Sequence, residues 1–305
     1  MLFLGKEDIL KKRNGEVLEI LVLIKSYEVT QAKGKTTQYL NGVLEAKGSI
    51  PFKVWSGDLF DDMVKYSYED NVCYVTAKVN EFNGSKSLVL QKVLLIKEGE
   101  YNKADFFESK YNAEAYWERF VSTVEKHCSS EGVSIFNKVF AGIEGRFKEE
   151  FAARSHHDCV KSGLLAHTYK GLYTLLSVCK LYPSITSSID MDLLILGQCM
   201  HDIGKIYEYT YGVIKDSGLL VSHRTFGVEL LAKYKDYIIG EKSEKFYYRL
   251  LAIIEQHHGE YEETPRTIEA YIIHLVDNIE SQMQTINESL EKGLNPITIN
   301  SFILR

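Results

Sequence analysis

The chain reads as a multidomain protein of mixed α and β class, a small five-stranded β-barrel followed by an all-α helical bundle. Three observations predict this. Residues 17–96 are built of short β-branched and apolar runs separated by turn residues. From Ala113-Glu114-Ala115-Tyr116-Trp117 onward, apolar residues recur with helical spacing. A length of 305 residues with 45% hydrophobic content supplies two ordinary cores, whereas a single core of that size would be unusual.

The strands are expected at 17–24, 36–46, 50–55, 72–79 and 87–96, with a short helix over Ser56–Val64 between the third and fourth. Lys33-Gly34-Lys35 and Asn83-Gly84-Ser85 supply hairpin turns. Three strands, a helix and two strands match the five-stranded Greek-key barrel called the OB-fold. The stretch Tyr39–Trp55 resembles the second and third strands of OB-folds that bind nucleic acid. On that resemblance Tyr39, Phe52, Trp55 and Phe82 are candidates for stacking on bases, with Lys53 and Lys86 as neighbouring cations. Each aromatic has an equal claim to filling the barrel.

The composition changes after Lys97-Glu98-Gly99-Glu100. The expected division is a barrel over 1–100, a helical connector over 101–150 and a catalytic helical domain over 151–305. Only four prolines interrupt the chain, consistent with short helix connections.

The net charge is −6; residues 1–100 hold 14 Lys and Arg against 14 Asp and Glu, which leaves 22 against 28 for the remainder. Neither half is strongly basic, so any groove for nucleic acid must be local. The five cysteines are scattered, with no CxxC pair, and are expected as reduced, buried thiols. Met1-Leu2-Phe3-Leu4 runs at once into Lys6, Glu7 and Asp8, too short an apolar run for a signal peptide or membrane span. A cytoplasmic chain with no membrane partner is the expectation.

Eight of the nine histidines lie between 156 and 274. They sit in Ser155-His156-His157-Asp158, Leu165-Ala166-His167-Thr168, Met200-His201-Asp202-Ile203-Gly204-Lys205, Ser222-His223-Arg224, Gln256-His257-His258-Gly259 and around His274, while Asp277 follows an apolar run. Imidazole and carboxylate without thiolate suit a catalytic divalent ion better than a structural zinc. Adjacent helical residues point about 100° apart, so His201 and Asp202 serve one centre only where ions lie near a helix end. Gly204 fits such an end. A carboxylate can bridge two ions, which makes Asp202 the natural bridge. A single buried histidine, however, is more often a hydrogen-bonded core residue than a ligand. His127 stands outside every motif and is assigned to structure, and His274 to a supporting or core position.

The ordered set of His167, His201-Asp202 before Ile203-Gly204-Lys205, and Asp277 resembles the metal-dependent phosphohydrolases of the HD superfamily. The resemblance implies that His167, His201, Asp202 and Asp277 bind one metal. It places His223 and one of His257 and His258, with His257 favoured, on a second. Lys205 is carried over as a catalytic residue that touches the substrate phosphate; His157 and Arg224 are further candidate substrate contacts. Two such ions activate water, hold the phosphate and stabilise the leaving oxygen.

A barrel ahead of such a domain is similar to the YhaM-type exoribonucleases. The similarity extends to Ala152-Ala153-Arg154-Ser155-His156-His157, Ser162-Gly163-Leu164-Leu165-Ala166-His167, Tyr182-Pro183 and His257-His258-Gly259. It implies 3′-5′ hydrolysis of single-stranded RNA, with single-stranded DNA a second substrate. It also implies Mn²⁺ as the metal, with Fe, Co, Mg, Zn or Ni as alternatives, two ions, and a homo-oligomer. Ser222-His223-Arg224 departs from the Gly-His pair usual in relatives. Two rivals stay open: a phosphohydrolase of free or cyclic nucleotides with a regulatory barrel, and a non-catalytic single-strand-binding protein.

Overall fold

The computed structural model describes residues 3–31, 36–97, 99–153, 160–259, 264–291 and 293. The Lys33–Lys35 turn lies outside the described residues. The chain divides into two compact units, Met1–Glu108 and Ser109–Arg305.

In the first unit a short helix α1 (Lys6–Leu10) precedes β1 (Val17–Gln31), β2 (Gln38–Glu45), β3 (Ser49–Trp55), helix α2 (Asp58–Lys65), β4 (Asn71–Phe82) and β5 (Ser85–Leu95). The strands close into a barrel in the order β1-β2-β3-β5-β4. Period-2 alternation decides what faces inward. Leu18, Ile20, Val22 and Ile24 of β1 are buried, as are Ile50, Phe52 and Val54 of β3. Burying each such side chain contributes roughly 1.5–3 kcal/mol.

β1 is longer than the apolar run 17–24, and the reason is topological. Its first half pairs antiparallel with β4, Val17 opposite Lys78, and its second half with β2, Gln31 opposite Gln38. An irregularity between Ile24 and Ser26 separates the two pairings, the kind of bulge that bends a strand round a barrel corner. Residues 25–31 carry no continuous apolar face, so periodicity gave no sign of them. The barrel is completed by the parallel contact of β3 with β5 at Phe52–Leu88 and Lys53–Val89.

The alternation corrects one expected contact. Phe52 is fully buried in the barrel core and cannot stack on a base, because it occupies the inward register between outward Pro51 and Lys53. Lys86 is also committed: its Nζ donates to the carbonyls of Leu10, 2.5 Å, and Lys12, 2.8 Å. Tyr39, Lys53 and Trp55 do share the outer face. Tyr39 and Trp55 are register partners with ring centroids 5.1 Å apart, and Lys53 Nζ lies 5.2 Å from the Tyr39 ring and 5.9 Å from that of Trp55. Phe82 is 72% exposed at the β4–β5 turn.

The unit continues past residue 100 because Phe106 and Phe107 are buried and Lys47 N–H donates to Phe106 O.

The second unit contains α3 (Ala113–His127), α4 (Ser130–Phe140), α5 (Glu144–Glu149), α6 (Gly163–Leu181), α7 (Pro183–Thr186), α8 (Met191–Met200) and α9 (Lys205–Glu208). A small hairpin, β6 (Tyr209–Thr210) with β7 (Val213–Ile214), separates these from α10 (Asp216–Leu220), α11 (His223–Ala232), α12 (Lys235–Glu241), α13 (Glu244–Gln256) and α14 (Ile268–Glu291). The segment expected as a connector shares this unit's core: Phe120, Phe136, Phe140 and Phe147 pack in one cluster with Leu164, Leu172, Leu194 and Ile254. Among the described residues no helix is long and apolar enough to cross a membrane.

Candidate metal centre

Five helices and the turn after α8 deliver the polar cluster. His167 lies in the first half of α6, His201 caps the C-terminus of α8, and Asp202 sits in the turn before α9. His223 opens α11, His257 caps α13, and Asp277 lies in the first half of α14. Gly204 explains how α11 comes so close to that turn. A Cβ there would lie 1.8 Å from His223 O, so only glycine permits the approach. Gly259 plays a similar part after α13: its φ is +67°, and a Cβ would lie 2.3 Å from the ring of His274. His274 Nδ1 in turn hydrogen-bonds His257 O at 2.9 Å, bracing that segment.

His167 Nε2 is 3.0 Å from Asp277 Oδ1 and 3.5 Å from Asp202 Oδ2; His201 Nε2 is 3.4 Å from Asp202 Oδ2 and 3.6 Å from Asp277 Oδ1. On the other side of the same carboxylate, Asp202 Oδ1 lies 3.5 Å from His223 Nε2 and 3.6 Å from His257 Nε2. One oxygen of Asp202 therefore faces His167 and His201, and the other faces His223 and His257. The candidate ligand atoms form two groups, His167/His201/Asp202/Asp277 and His223/His257/His258, each within 4.8 Å. His258 adds its ring at 4.3 Å from that of His257 and 5.0 Å from that of His223.

These separations fit a divalent ion. Bonds of about 2.0–2.2 Å to N and O place neighbouring ligand atoms roughly 3.0–3.6 Å apart. Nε2 of His201, His223 and His257 and Oδ1 of Asp202 are buried with no hydrogen-bond partner among the described residues. Orphaned buried polar atoms are costly unless a ligand satisfies them. The far ring nitrogens are all engaged: His167 Nδ1 with Glu280, His223 Nδ1 with Glu208 at 2.9 Å, His201 Nδ1 with Gln198 O and His257 Nδ1 with Ile254 O, both at 2.8 Å. Such contacts fix the ring and leave Nε2 for an ion.

Electrostatics favour a cation. Burial opposes ionisation of Asp202 and Asp277, but Lys205 and His201 outweigh it at Asp202, and His167 and His201 at Asp277. Both carboxyls are held well below the usual carboxylate range. Burial also works against a charged His201, yet Asp202 and Asp277 raise it to about 9; burial dominates at His257 and lowers it to about 3. Asp277 provides the opening, with a side chain 22% exposed against 3% for Asp202.

Lys205 Nζ sits 2.6 Å from Asp202 Oδ2. Arg224 Nη1 donates to Glu255 O at 2.8 Å, tying α11 to α13. His157 lies outside the described residues, and Tyr39, Lys53 and Trp55 belong to the barrel unit. Sequence reasoning missed Glu280 and Glu208. Glu280 is three residues beyond Asp277 on the same helix, a spacing that puts both on one face, and that was the available signal. Glu208 gave none, because its approach to His223 depends on the fold of residues 205–223.

Residues 164–282 match the family model described as "HD domain". This segment is an HD domain. It contains all four residues of the first cluster and all three of the second. The HD domain and the His/Asp cluster together fit a divalent metal. The chain is 26% identical over 298 residues to a 3′-5′ exoribonuclease YhaM from Geobacillus sp. (strain WCH70), covering 91% of this chain and 86% of that one. It is 27% identical over 294 residues to a protein of the same name from Bacillus pumilus (strain SAFR-032), covering 91% and 88%. The resemblance to YhaM-type enzymes thus extends through the HD domain and well beyond it. No solved structure matches the chain significantly.

Proposed function

We propose that this chain is a metal-dependent 3′-5′ exoribonuclease acting on single-stranded RNA, with the N-terminal barrel serving as a strand-binding OB-fold. One observation carries the catalytic half: the two oxygens of Asp202 face separate pairs of imidazoles, as a carboxylate bridging two ions must. The names of the relatives and their coverage of nine tenths of the chain support the substrate class. The order of strands and helix in the barrel supports the OB-fold assignment.

In this reading His167, His201, Asp202 and Asp277 hold the first ion, and Asp202, His223, His257 and His258 hold the second. Mn²⁺ is the proposed metal. A bound pair would polarise the phosphodiester and lower the pKa of the attacking water. Glu280 and Glu208 fix the rings of His167 and His223 by their Nδ1 atoms. Lys205, anchored on Asp202, supplies a preorganised positive charge for a phosphoryl oxygen. The more exposed side of Asp277 marks where the strand end enters. On the barrel, Tyr39, Trp55 and Lys53 offer ring faces and a cation to bases and phosphates.

The test follows 5′-labelled and 3′-labelled single strands of RNA and DNA with Mn²⁺. The proposal expects the 3′ label on RNA to leave at once as a mononucleotide while the 5′-labelled strand shortens stepwise. Release of the 5′ label first, or turnover confined to free and cyclic nucleotides, contradicts it.

A further inference from the structure

A second concavity lies away from the metal cluster. A groove of about 900 Å³ lies between α3 and α6 and is lined also by α7 and the start of α8. Along α3, Arg119, Lys126 and His127 recur on the lining face; along α6, Tyr169, Tyr173 and Lys180 do the same, at the spacing that brings helical residues onto one side. Leu176, Cys179 and Met191 give it an apolar floor. Lys180 is thirteen residues beyond His167 on one helix, about 20 Å along its axis. Met191 likewise stands at the end of α8 remote from His201. The groove is therefore a separate place on this unit.

Its charge is unneutralised. Arg119, Lys126 and Lys180 are exposed, and none forms an ion pair with a described residue. Glu118 is the carboxylate among the lining residues, against three cations and His127. Tyr173 is 66% exposed, with its ring in no aromatic pair among the described residues, whereas Tyr169 is held edge-on by Tyr116 at 5.6 Å. Cations facing a tyrosine over an apolar floor suit a ligand that joins an anion to a flat ring. Ser122 adds a hydroxyl and Glu118 an acceptor for a sugar or a ring amino group, while Thr123 and Ser177, whose hydroxyls donate to Arg119 O and Tyr173 O, offer acceptor oxygens. The volume lies in the range of small-molecule sites, roughly 300–1,000 Å³.

The geometry points to a second ligand site in this groove, taking a free nucleoside monophosphate with its phosphate among Arg119, Lys126 and Lys180 and its base against Tyr173. This assignment stands on the groove's own chemistry and does not need the metal cluster to be catalytic. If the proposed exonuclease reading also holds, the ligand class is that of the product, and the site would sense product accumulation.

Calorimetric titration of AMP into the full chain with EDTA present is the test, because EDTA removes the alternative mode of phosphate binding at a metal. One-to-one binding is expected, weakened by added salt and at least ~tenfold weaker in Arg119→Glu/Lys126→Glu and in Tyr173→Ala. Adenosine alone and inorganic phosphate alone should each bind at least ~tenfold more weakly than AMP. All three substituted residues are on the surface, and melting temperatures unchanged from wild type confirm that the variants are folded. Absence of AMP binding up to about 10 mM, or an affinity that the charge reversal leaves unchanged, overturns the proposal. A ten-nucleotide RNA that binds more tightly than AMP and loses affinity with the same reversal would show a strand track instead, and overturns it too.

Discussion

At Asp202 one side chain must face imidazoles from α6, α8, α11 and α13, and small structural details decide whether it can. The turn after α8 carries it, Gly204 lets α11 close on that turn, and Lys205 anchors one oxygen. The imidazoles depend on carboxylates outside the motif. Glu280→Gln keeps the side-chain volume and removes the charge that holds His167 Nδ1; we expect Mn²⁺ affinity to fall ~10–100-fold, with little change in melting temperature. Titration calorimetry checks this, and unaltered affinity would show Glu280 to be a packing residue. The residues that gather around Asp202 were legible in the sequence because their types and order are specific. Glu280 and Glu208 were not, since an isolated glutamate on a helix is ordinarily a solvated one.

At the scale of elements, a clamp outside the site holds the bundle. Asp192, in the first turn of α8, accepts from both the backbone N–H and the hydroxyl of Ser129 at the start of α4, and pairs with Lys242 at the end of α12. Burial opposes its ionisation, but Lys242 and Ser129 outweigh it and hold the carboxyl below the ordinary aspartate value of 3.8. A lowered folded pKa means that this stabilisation is present above 3.8 and is lost as pH falls through the folded value. Asp192→Asn should therefore melt at a lower temperature than wild type at pH 7, with the gap narrowing below about pH 3.8. A gap independent of pH would remove the charge from the explanation.

Strand positions were readable where apolar residues alternate, but the polar half of β1 was not, because it is defined by pairing with β2 after the irregularity at Ile24/Ser26. Phe52 and Trp55 could not be told apart by residue type; the register of β3 sends one inward and the other out.

For the whole molecule the proposal assigns strand affinity to the barrel and bond cleavage to the HD domain. Lys53→Glu combined with Trp55→Ala should weaken binding of a long single strand by about 1–3 kcal/mol for each stacked base lost, while cleavage of a small phosphodiester persists. Asp202→Ala should do the reverse, binding the strand without cutting it. Gel-shift and hydrolysis assays on the same preparations separate the two, and equal damage to both activities by both variants would dissolve the division of labour.

Hydrolysis at this site requires that the clustered imidazoles and carboxylates hold ions through Asp202. Equilibrium dialysis against Mn²⁺, with metal content measured for wild type and Asp202→Ala, addresses that directly. We expect two ions per chain in the wild type and loss of both in the variant; a variant that retains as much manganese as the wild type would contradict it.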